Sequence, residues 1–279
     1  MIDAYFSIVS HNQTDLIKKY FSNFPKERGN FSIKLCFMDN TGSNDLKTFC
    51  DQEGHFYYYD GIQRGFGQNH NKMFSLISPK KEDIFIVCNP DILIPQDQLE
   101  GILHTFVETG ADLFSPSIYF DKKSGELDNP DKNIPGFLNF CVSFISNTRL
   151  HYGTRKNIRH PEWLSGAFIV FKPEAYRKLG GFDERYFMYC EDMDICYRAQ
   201  KMGLKIVYDN RHYLEHHAQM HSRQFFSQNV YWHMHSALKF SLRHNRLFHL
   251  RHIKKQRKNR KGPRKEDLSS NYTDSSTSS

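Results

Sequence analysis

Short apolar runs alternate with helix-like segments along the N-terminal part of the chain. The apolar runs, rich in β-branched and aromatic residues, occupy residues 4–9, 32–38, 56–59 and 84–88. Segments with helical spacing lie between them, at residues 14–21, 45–49 and 68–77. A strand followed by a helix, repeated along the chain, predicts an α/β fold with a mostly parallel sheet and helices on both faces.

The regular pattern stops at residue 121 and resumes near residue 163. Glycines and prolines punctuate residues 121–160, which predicts a loop-rich segment that faces the substrate. Beyond it, the pattern predicts an ordered run over 163–171, helices over 173–178 and 192–201, and a short strand over 205–208. Gly203 is the expected C-cap of the second helix.

The C-terminal part of the chain shows a different pattern. Between residues 225 and 253, apolar and aromatic side chains recur at three- and four-residue steps among His, Lys and Arg, which predicts an amphipathic basic helix. After Pro263 the chain is rich in Ser and Thr, which predicts disorder. We therefore expect an α/β domain over 1–224, a basic helical extension over 225–262 and a disordered tail over 263–279.

The net charge changes which partners are plausible. The sequence pI is about 9.0, but residues 243–265 contain eleven Lys and Arg and no acidic residue. The rest of the chain carries 27 basic and 31 acidic residues. The basic charge therefore belongs to the C-terminus and does not predict a nucleic-acid-binding fold. An RNA-binding tail is also disfavoured, because residues 254–265 lack interleaved aromatic side chains.

Targeting segments and cysteine usage indicate the cellular compartment. No apolar run approaches the roughly 18 to 20 residues of a membrane span, and the start Met1-Ile2-Asp3 lacks the layout of a signal peptide. We expect a cytosolic protein. Its six cysteines are scattered without a close CxxC pair, so buried reduced thiols are favoured over disulfides or a zinc site.

Polar residues follow three of the predicted strands. The first run ends at Ser10-His11-Asn12, the second at Asp39-Asn40 and the fourth at Asn89-Pro90-Asp91. Each segment alone is consistent with an ordinary turn. Three such segments at equivalent strand ends favour a shared ligand pocket, because sheets of this kind bind ligands at the carboxyl ends of their strands.

Two acidic segments are candidates for chemistry. Asp91 follows a buried strand, and its carboxylate suits a hard cation such as Mg²⁺ or Mn²⁺, although one carboxylate alone is also typical of a turn. Glu191 and Asp192 begin a predicted helix and are followed by Asp194. Acidic residues at a helix start often only cap it, but this crowding among aromatic residues is also how carboxylate basicity is tuned.

Two other patterns point to functions that the chain does not support. His212 and His216 have a spacing that would suit zinc on a helix, but no HExxH motif or cysteine pair accompanies them. A single histidine that completes a site with Asp91 is the better interpretation. The glycine turn at residues 64–71 follows the third predicted strand, whereas a dinucleotide-binding fold has its glycine motif after the first.

In this order, the motifs resemble those of glycosyltransferase family 2, and within it the rhamnosyltransferase-like branch of bacterial surface-polysaccharide enzymes. The resemblance covers about residues 3–222. The matching segments are Ser10-His11-Asn12, Asp39-Asn40, Gln63 to Asn71, Asn89-Pro90-Asp91, residues 163–167, residues 181–184, Glu191-Asp192-x-Asp194 with Arg198, and His216. Gln63 and Asn210 depart from the family pattern, both at motif edges.

The resemblance implies a GT-A fold and a set of site residues. It implies Asp192 as the general base, with Glu191 orienting it or binding acceptor, and a Mg²⁺ or Mn²⁺ ion held by Asp91 and His216. The nucleotide-sugar contacts that it implies are Ser10, Asn12, Asp39, Asn40, Gly65, Asn71, Asn89 and Asp91. The acceptor contacts that it implies are Trp163, Gly166 and Asp194.

The implied activity is inverting sugar transfer in the synthesis of lipopolysaccharide O-antigen or capsule. The branch favours rhamnose, from dTDP-rhamnose or a UDP-sugar, and a saccharide or lipid-linked acceptor. The alternatives are a UDP-hexose or UDP-amino-sugar donor on the same fold, or a non-catalytic nucleotide-sugar-binding module. The basic C-terminal segment suggests peripheral binding to the anionic inner face of the cytoplasmic membrane, with a merely solvated tail as the alternative.

Overall fold

The computed structural model of the protein describes residues 1–122, 125–127, 134–135, 137, 160–217 and 228–245. Most of the loop predicted over residues 121–160 lies outside these ranges. So do Cys141 and the tail predicted after residue 262.

The first half of the chain alternates strands and helices as the pattern predicts. Its elements are β1 (Ile2–Ser10), α1 (Thr14–Phe21), β2 (Glu27–Arg28), β3 (Phe31–Asp39), α2 (Asn44–Glu53), β4 (Phe56–Tyr58), α3 (Phe66–Ile77), β5 (Ile84–Cys88), β6 (Ile92–Leu93) and α4 (Gln96–Thr109). The later elements are β7 (Leu113–Asp121), β8 (Glu126–Leu127), β9 (Phe168–Phe171), α5 (Pro173–Leu179), α6 (Glu191–Lys201), β10 (Ile206–His216) and α7 (Gln228–Arg243).

The strands of the described residues form one sheet whose order is β2-β3-β1-β5-β9-β7-β10-β6, with β4 paired to β3 and β8 to β7. Strands β4, β3, β1 and β5 are parallel. Strand β9 runs antiparallel to both of its neighbours, β5 and β7. The expected parallel sheet is therefore present in the N-terminal half, and the sheet as a whole is mixed.

The core lies on both faces of this sheet, and β5 shows why. All five of its residues are buried, and because side chains alternate along a strand, they divide between two apolar clusters. Ile84, Ile86 and Cys88 pack with α1, α2 and α4. Phe85 and Val87 pack on the opposite face with α3, α5 and α6. The predicted arrangement of helices on both faces is confirmed.

Two details of the sequence interpretation can be checked directly. Five cysteines are free and buried, as predicted: Cys36, Cys50, Cys88, Cys190 and Cys196. His212 and His216 both lie on strand β10 and not on a helix. Their four-residue spacing therefore does not place them on one helical face, which removes the geometric basis of the zinc alternative.

Helix α7 lies within the helix predicted over residues 225–253, of which 225–227 and 246–253 lie outside the described residues, and it packs on the rest of the protein. The helix ends at Arg243. Ala237 and Phe240 are buried in a small apolar cluster with Tyr186 and Met193. Within the described residues, no helix is long and apolar enough to cross a membrane.

Candidate active site

The ends of β1, β3 and β5 meet at one edge of the sheet. Ser10 pairs in register with Asp39, and the Asn40 backbone nitrogen donates to the Ser10 carbonyl oxygen at 3.0 Å. On the other side of β1, Ile8 pairs with Cys88. The three polar strand ends recognised in the sequence are therefore neighbours, at the edge where open α/β sheets bind ligands.

Asn12 lies in the exposed turn between β1 and α1. Its φ is +64°, in the left-handed region that Asn adopts more readily than most residues. The Ser10 hydroxyl is buried and accepts from the Gln13 backbone nitrogen at 3.4 Å. The turn that carries the predicted nucleotide contacts is thus shaped by its own polar side chains.

Asp39 is almost fully buried, and both of its carboxylate oxygens are occupied. Oδ1 accepts from the Thr41 backbone nitrogen at 2.8 Å and from the Thr41 hydroxyl at 2.9 Å. Oδ2 accepts from the Ser43 backbone nitrogen at 2.7 Å and from the Tyr57 hydroxyl at 3.0 Å. In this structure, Asp39 fixes the loop between β3 and α2.

Asn40 and Gly65 join that loop to the start of α3. The Asn40 side chain donates to the Arg64 carbonyl oxygen at 3.0 Å and accepts from the Arg64 backbone nitrogen at 3.3 Å. A Cβ atom at Gly65 would lie 2.3 Å from the Phe187 carbonyl oxygen. The glycine therefore permits close approach of the backbone that leads towards Glu191.

Asn71 makes contacts inside the protein. Its Oδ1 accepts from the Tyr176 hydroxyl at 2.7 Å and from the Phe182 backbone nitrogen at 2.9 Å. Its Nδ2 donates to the Phe182 carbonyl oxygen at 2.9 Å and to the Glu184 carboxylate at 3.1 Å. This residue ties α3 to the segment before α6, and these four contacts use the whole amide group.

Asp91 and His216 face each other at the site edge. His216 Nε2 lies 3.3 Å from Asp91 Oδ1, and the side chains are 14% and 20% exposed. Strand β10 brings them together, because His216 pairs with Ile92 in an antiparallel register and the His217 backbone nitrogen donates to the Asp91 carbonyl oxygen at 3.0 Å. Two residues that are 125 positions apart in sequence thus share one corner of the sheet.

The donor atoms of this pair fit a divalent cation. The 3.3 Å approach does not have hydrogen-bond geometry, and Asp91 Oδ1 and His216 Nδ1 are buried without a hydrogen-bond partner. Carboxylate and imidazole are ligands that Mn²⁺ accepts. Among the described residues there is no group of three or more His, Cys, Asp or Glu side chains placed to hold a metal. A cation here would therefore need further ligands from substrate or water, as is usual for Mg²⁺.

A short backbone path connects this corner to Asp192. The Asn89 backbone nitrogen donates to the Ala167 carbonyl oxygen at 2.9 Å. The next residue back, Gly166, donates its backbone nitrogen to Asp192 Oδ2 at 2.9 Å. A Cβ atom at Gly166 would lie 3.2 Å from the Asp192 Cβ, so the glycine favours this approach. The segments that carry the two acidic motifs of the sequence are therefore linked by main-chain hydrogen bonds.

Asp192 is held by backbone donors and keeps part of its side chain accessible. Besides the Gly166 contact, its Oδ1 accepts from the Met193 backbone nitrogen at 2.8 Å. The side chain is half-buried, and it lies in the first turn of α6, where the helix dipole favours a negative charge. A carboxylate oxygen can accept more than one hydrogen bond. Each Asp192 oxygen can therefore accept a further hydrogen bond.

Glu191 lies in the opposite environment, although it is the adjacent residue. It is buried, and its Oε2 has no hydrogen-bond partner. Burial raises the pKa of Glu191 well above its ordinary value, and the charge of neighbouring Asp192 raises this pKa further. A buried carboxyl group with a raised pKa beside a less buried one is a pattern typical of acid–base sites.

Asp194 and Trp163, both predicted to contact acceptor, lie deeper. Asp194 has no exposed surface, and its Oδ2 accepts from Arg198 Nε at 2.6 Å. Its Oδ1 accepts from His244 Nε2 at 2.8 Å. Trp163 is partly buried and packs against two apolar clusters. In this structure the contacts of Asp194 are entirely with protein groups.

The turn before α6 is a feature that sequence reasoning missed. Tyr189 and Cys190 have φ values of +69° and +66°, in the left-handed region. This conformation costs a non-glycine residue roughly 1–2 kcal/mol. Strained residues of this kind cluster at functional sites. No residue type marks the turn in the sequence, because neither Tyr nor Cys is a preferred left-handed residue.

His70 is a second buried polar residue that the sequence interpretation did not single out. Its Nδ1 lies 2.7 Å from the Ser7 hydroxyl, and its Nε2 is buried without a partner. Burial lowers the pKa of His70 to about 3, so the ring is neutral. The helical spacing of residues 68–77 could have placed His70 on the buried face of α3. A histidine in that position is usually structural.

Comparison with known proteins identifies the family. Over 248 residues, the chain is 30% identical to the rhamnosyltransferase WbbL of Escherichia coli (strain K12). The aligned region covers 86% of this chain and 93% of that protein. The chain belongs to the rhamnosyltransferase-like branch of glycosyltransferase family 2. No protein-family model matches the sequence.

Two further relatives agree with this membership. The chain is 23% identical over 201 residues to the low-salt glycan biosynthesis hexosyltransferase Agl10 of Haloferax volcanii, covering 71% of this chain and 62% of that protein. A segment of 46 residues is 50% identical to the N-acetylglucosaminyl-diphospho-decaprenol L-rhamnosyltransferase of Mycobacterium tuberculosis, covering 16% of this chain and 15% of that protein.

Solved structures confirm the GT-A fold. The mannosyltransferase PcManGT from Pyrobaculum calidifontis, in complex with GDP-Man and Mn²⁺, superposes with a TM-score of 0.55 at 13% identity. GalNAc-T7 with UDP, GalNAc and Mn²⁺ superposes with a TM-score of 0.56 at 12% identity. These matches cover 86% and 83% of this chain, and 64% and 46% of the two solved chains. The glycosyltransferase fold is thus established for the larger part of the protein.

Proposed function

We propose that this glycosyltransferase moves rhamnose, with inversion, from a nucleoside-diphosphate donor such as dTDP-rhamnose to a lipid-linked saccharide in O-antigen or capsule synthesis. The observation that carries the proposal is the path from Asp192 through Gly166 and Ala167 to Asn89, since it brings a candidate base beside a candidate diphosphate site. The names of the Escherichia coli and mycobacterial relatives support rhamnose as the sugar.

In the proposed reaction, Asp192 removes the proton of an acceptor hydroxyl. The acceptor oxygen then forms a bond to the anomeric carbon of the donor, on the face opposite the leaving group. The bond from that carbon to the diphosphate oxygen breaks, and its electron pair leaves with the nucleoside diphosphate. A positioned base of this kind typically contributes about 10²- to 10⁴-fold in rate.

Asp91 and His216 are the residues proposed to hold Mg²⁺ or Mn²⁺. A bound divalent cation would supply Lewis-acid stabilisation of the departing diphosphate. The unpartnered Asp91 Oδ1, with His216 Nε2 3.3 Å away, supports this assignment, as does the Mn²⁺ named in both structural neighbours. Asp91 also lies three residues after Cys88, the last residue of β5, the strand that reaches the site.

Glu191 is proposed to act in its protonated form. Because burial raises the pKa of Glu191, its carboxylic acid keeps a proton to a higher pH than an exposed glutamate does, and in that form it can donate a hydrogen bond to the acceptor or donor sugar. The two neighbouring acids would then have different roles, with Asp192 as the base and Glu191 as a hydrogen-bond donor.

The nucleotide and acceptor sites are proposed on the two sides of Asp192. Ser10, Asn12, Asp39 and Asn40 line the sheet edge and form the nucleotide side, and Gly65 and Asn71 hold α3 in place beside it. Trp163 and Gly166 precede β9 and form the acceptor side. Asp194 supports that side from beneath, through the contacts it makes within the protein.

Peripheral membrane binding is proposed through α7 and the basic chain that follows. Tyr231, Leu238 and Leu242 are 66%, 38% and 55% exposed. Their spacing of seven and four residues places them on one face of the helix, opposite the buried Ala237 and Phe240. An apolar stripe followed by a basic segment is typical of binding to an anionic bilayer surface, where a lipid-linked acceptor would be found.

The full-length protein can be tested with defined substrates. Incubated with Mn²⁺ and N-acetylglucosaminyl-diphospho-polyprenol, it is expected to release dTDP from dTDP-rhamnose and to add one deoxyhexose mass to the lipid. A panel with UDP-glucose, UDP-galactose and UDP-N-acetylglucosamine gives the donor preference. Release from a UDP-sugar and none from dTDP-rhamnose would replace the rhamnose assignment. Binding without release from any donor would indicate a non-catalytic nucleotide-sugar-binding protein.

A further inference from the structure

The strained turn at Tyr189 and Cys190 immediately precedes the catalytic acids. Cys190 is the N-cap of α6, and its left-handed conformation sets the direction in which the helix leaves the turn. A left-handed residue without glycine persists only where its surroundings hold it. The groups that hold this turn therefore also determine where Glu191 and Asp192 point.

Helix α7 supplies several of those groups. The Ser236 hydroxyl donates to the Met188 carbonyl oxygen at 2.9 Å, one residue before the turn. The His233 and Tyr189 rings pack edge to face, with centroids 4.7 Å apart. Lys239 Nζ donates to the Arg185 carbonyl oxygen at 2.7 Å. Three successive turns of α7 thus contact the segment that enters α6.

The C-terminal end of α7 contacts α6 itself. His244 Nε2 donates to Asp194 Oδ1 at 2.8 Å, with the two side chains 10% and 0% exposed. The His244 ring packs on Tyr197, with centroids 4.4 Å apart. Asp194 lies in the first turn of α6, two residues after Asp192. The histidine therefore holds the same helical turn that carries the proposed base.

Arg198 completes the attachment of this turn from the other side. Its Nε donates to Asp194 Oδ2 at 2.6 Å, and its terminal nitrogens donate to the Leu179 and Gly181 carbonyl oxygens at 2.6 Å and 2.9 Å. Asp194 is thus bound on one oxygen to the end of α5 and on the other to α7. Removing either partner leaves a buried carboxylate less compensated, which is costly.

We infer that His244 and Ser236 of the C-terminal helical segment are positioning residues for sugar transfer, holding the first turn of α6 so that Asp192 faces the acceptor. The inference rests on the proposed role of Asp192 as the base. On this inference α7 supports the active site, although the sequence pattern predicts it as an extension separate from the α/β domain. A displacement of about 1 Å at a reacting group can cost on the order of 100-fold in rate.

The test uses the full chain with substitutions in α7 and at His244, the residue that follows it. His244→Ala is expected to lower kcat about tenfold or more, with the donor KM and the stoichiometry of nucleotide binding unchanged. His244→Gln retains an amide N–H near the position of Nε2 and is expected to recover most of the rate. Ser236→Ala is also expected to lower kcat. If His244→Ala does not fold, Ser236→Ala takes its place in the test.

His235→Ala is the matched control, because His235 is exposed on the outer face of the same helix. Rates are normalised to nucleotide-binding sites, so that a loss of folded protein does not count as a loss of kcat. Rates of His244→Ala and Ser236→Ala within twofold of His235→Ala would overturn the inference. Asp192→Asn, assayed in parallel, separates the two ideas: full turnover in that variant refutes the base itself, whereas an inactive Asp192→Asn with unimpaired α7 variants refutes only the positioning role.

Discussion

The Asp192 carboxylate accepts a hydrogen bond from the Gly166 backbone nitrogen at 2.9 Å. The contact joins the first turn of α6 to the segment that enters β9, and β9 lies beside β5, the strand that Asn89 follows. A candidate base and a candidate metal corner are thereby held by main-chain atoms. Their separation depends little on side-chain flexibility, as precise positioning for catalysis requires.

Asp192→Asn is expected to lose transfer by about 10²- to 10⁴-fold, because the amide cannot accept the proton of the acceptor hydroxyl. The amide oxygen can still accept from Gly166, while the contact with the Met193 backbone nitrogen is lost, so nucleotide affinity should change little and thermal stability should fall slightly. Initial rates of nucleotide release and a calorimetric titration with the nucleoside diphosphate measure the two properties. Unaltered turnover would show that the base is another group.

Asp91→Ala is expected to weaken nucleotide binding only when a divalent cation is present. The reason is that Asp91 would act on the diphosphate through the cation. Nucleotide titrations with Mn²⁺ and with EDTA should therefore differ for the wild-type protein and converge for the variant. Asp97→Ala, which removes an exposed aspartate from the first turn of α4, is the control. Identical wild-type curves under both conditions would contradict the metal assignment.

The raised pKa of Glu191 predicts that the free energy of unfolding depends on pH. Burial raises the pKa of this carboxyl in the folded protein, so between its ordinary value and the raised value the folded state binds a proton that the unfolded state has lost. Stability contributed by Glu191 is therefore present at low pH and decreases as pH rises. Glu191→Gln stays neutral, so its melting temperature should exceed that of the wild type at pH 8, with the difference shrinking towards pH 4.

The matched control for that series is Glu174→Gln on α5, where the carboxylate is exposed. Its melting curve should follow the wild type across the whole range. If the difference in melting temperature between the wild type and Glu191→Gln stays constant from pH 4 to pH 8, the pKa of the Glu191 carboxyl is the same in the folded and the unfolded protein. Thermal unfolding in matched buffers of equal ionic strength measures both comparisons.

The exposed stripe on α7 predicts a lipid-dependent contact. Replacing Tyr231, Leu238 and Leu242 together with Ser is expected to reduce flotation with vesicles that contain an anionic lipid, because apolar burial and charge act together at a bilayer surface. Truncation after Asn245 leaves α7 in place and removes the basic segment, and it should also reduce flotation. If both variants float like the wild type, α7 and the segment after it do not bind membrane.

Sequence alone established the alternating βα order of the first half and the strand-end motifs. It could do so because the apolar period and the position of a polar residue after a strand are local properties. The β7 strand was not predicted, since Pro116 interrupts its apolar pattern, and α4 was not recognised. The antiparallel course of β9 also escaped, because strand direction depends on the path of the whole chain and leaves no local signal.

The tertiary structure also decided what individual motif residues do. Asn71 and Asp194 stand in family motifs, yet their contacts join neighbouring segments inside the protein. A sequence pattern does not distinguish a residue that touches substrate from one that holds its neighbour, because both are polar and both occur beside the site. Only the direction of the side chain separates them, and that direction is set by packing.

The sequence by itself therefore identified the family, a candidate base at Asp192, and Asp91 and His216 as candidate metal ligands. Only the folded chain decided that His216 lies 3.3 Å from Asp91, that Gly166 joins the two acidic motifs, and that α7 packs against the turn before Asp192. The physical reason is that these relationships join residues distant in sequence. They exist only once the sheet order and the two-sided core have brought those segments together.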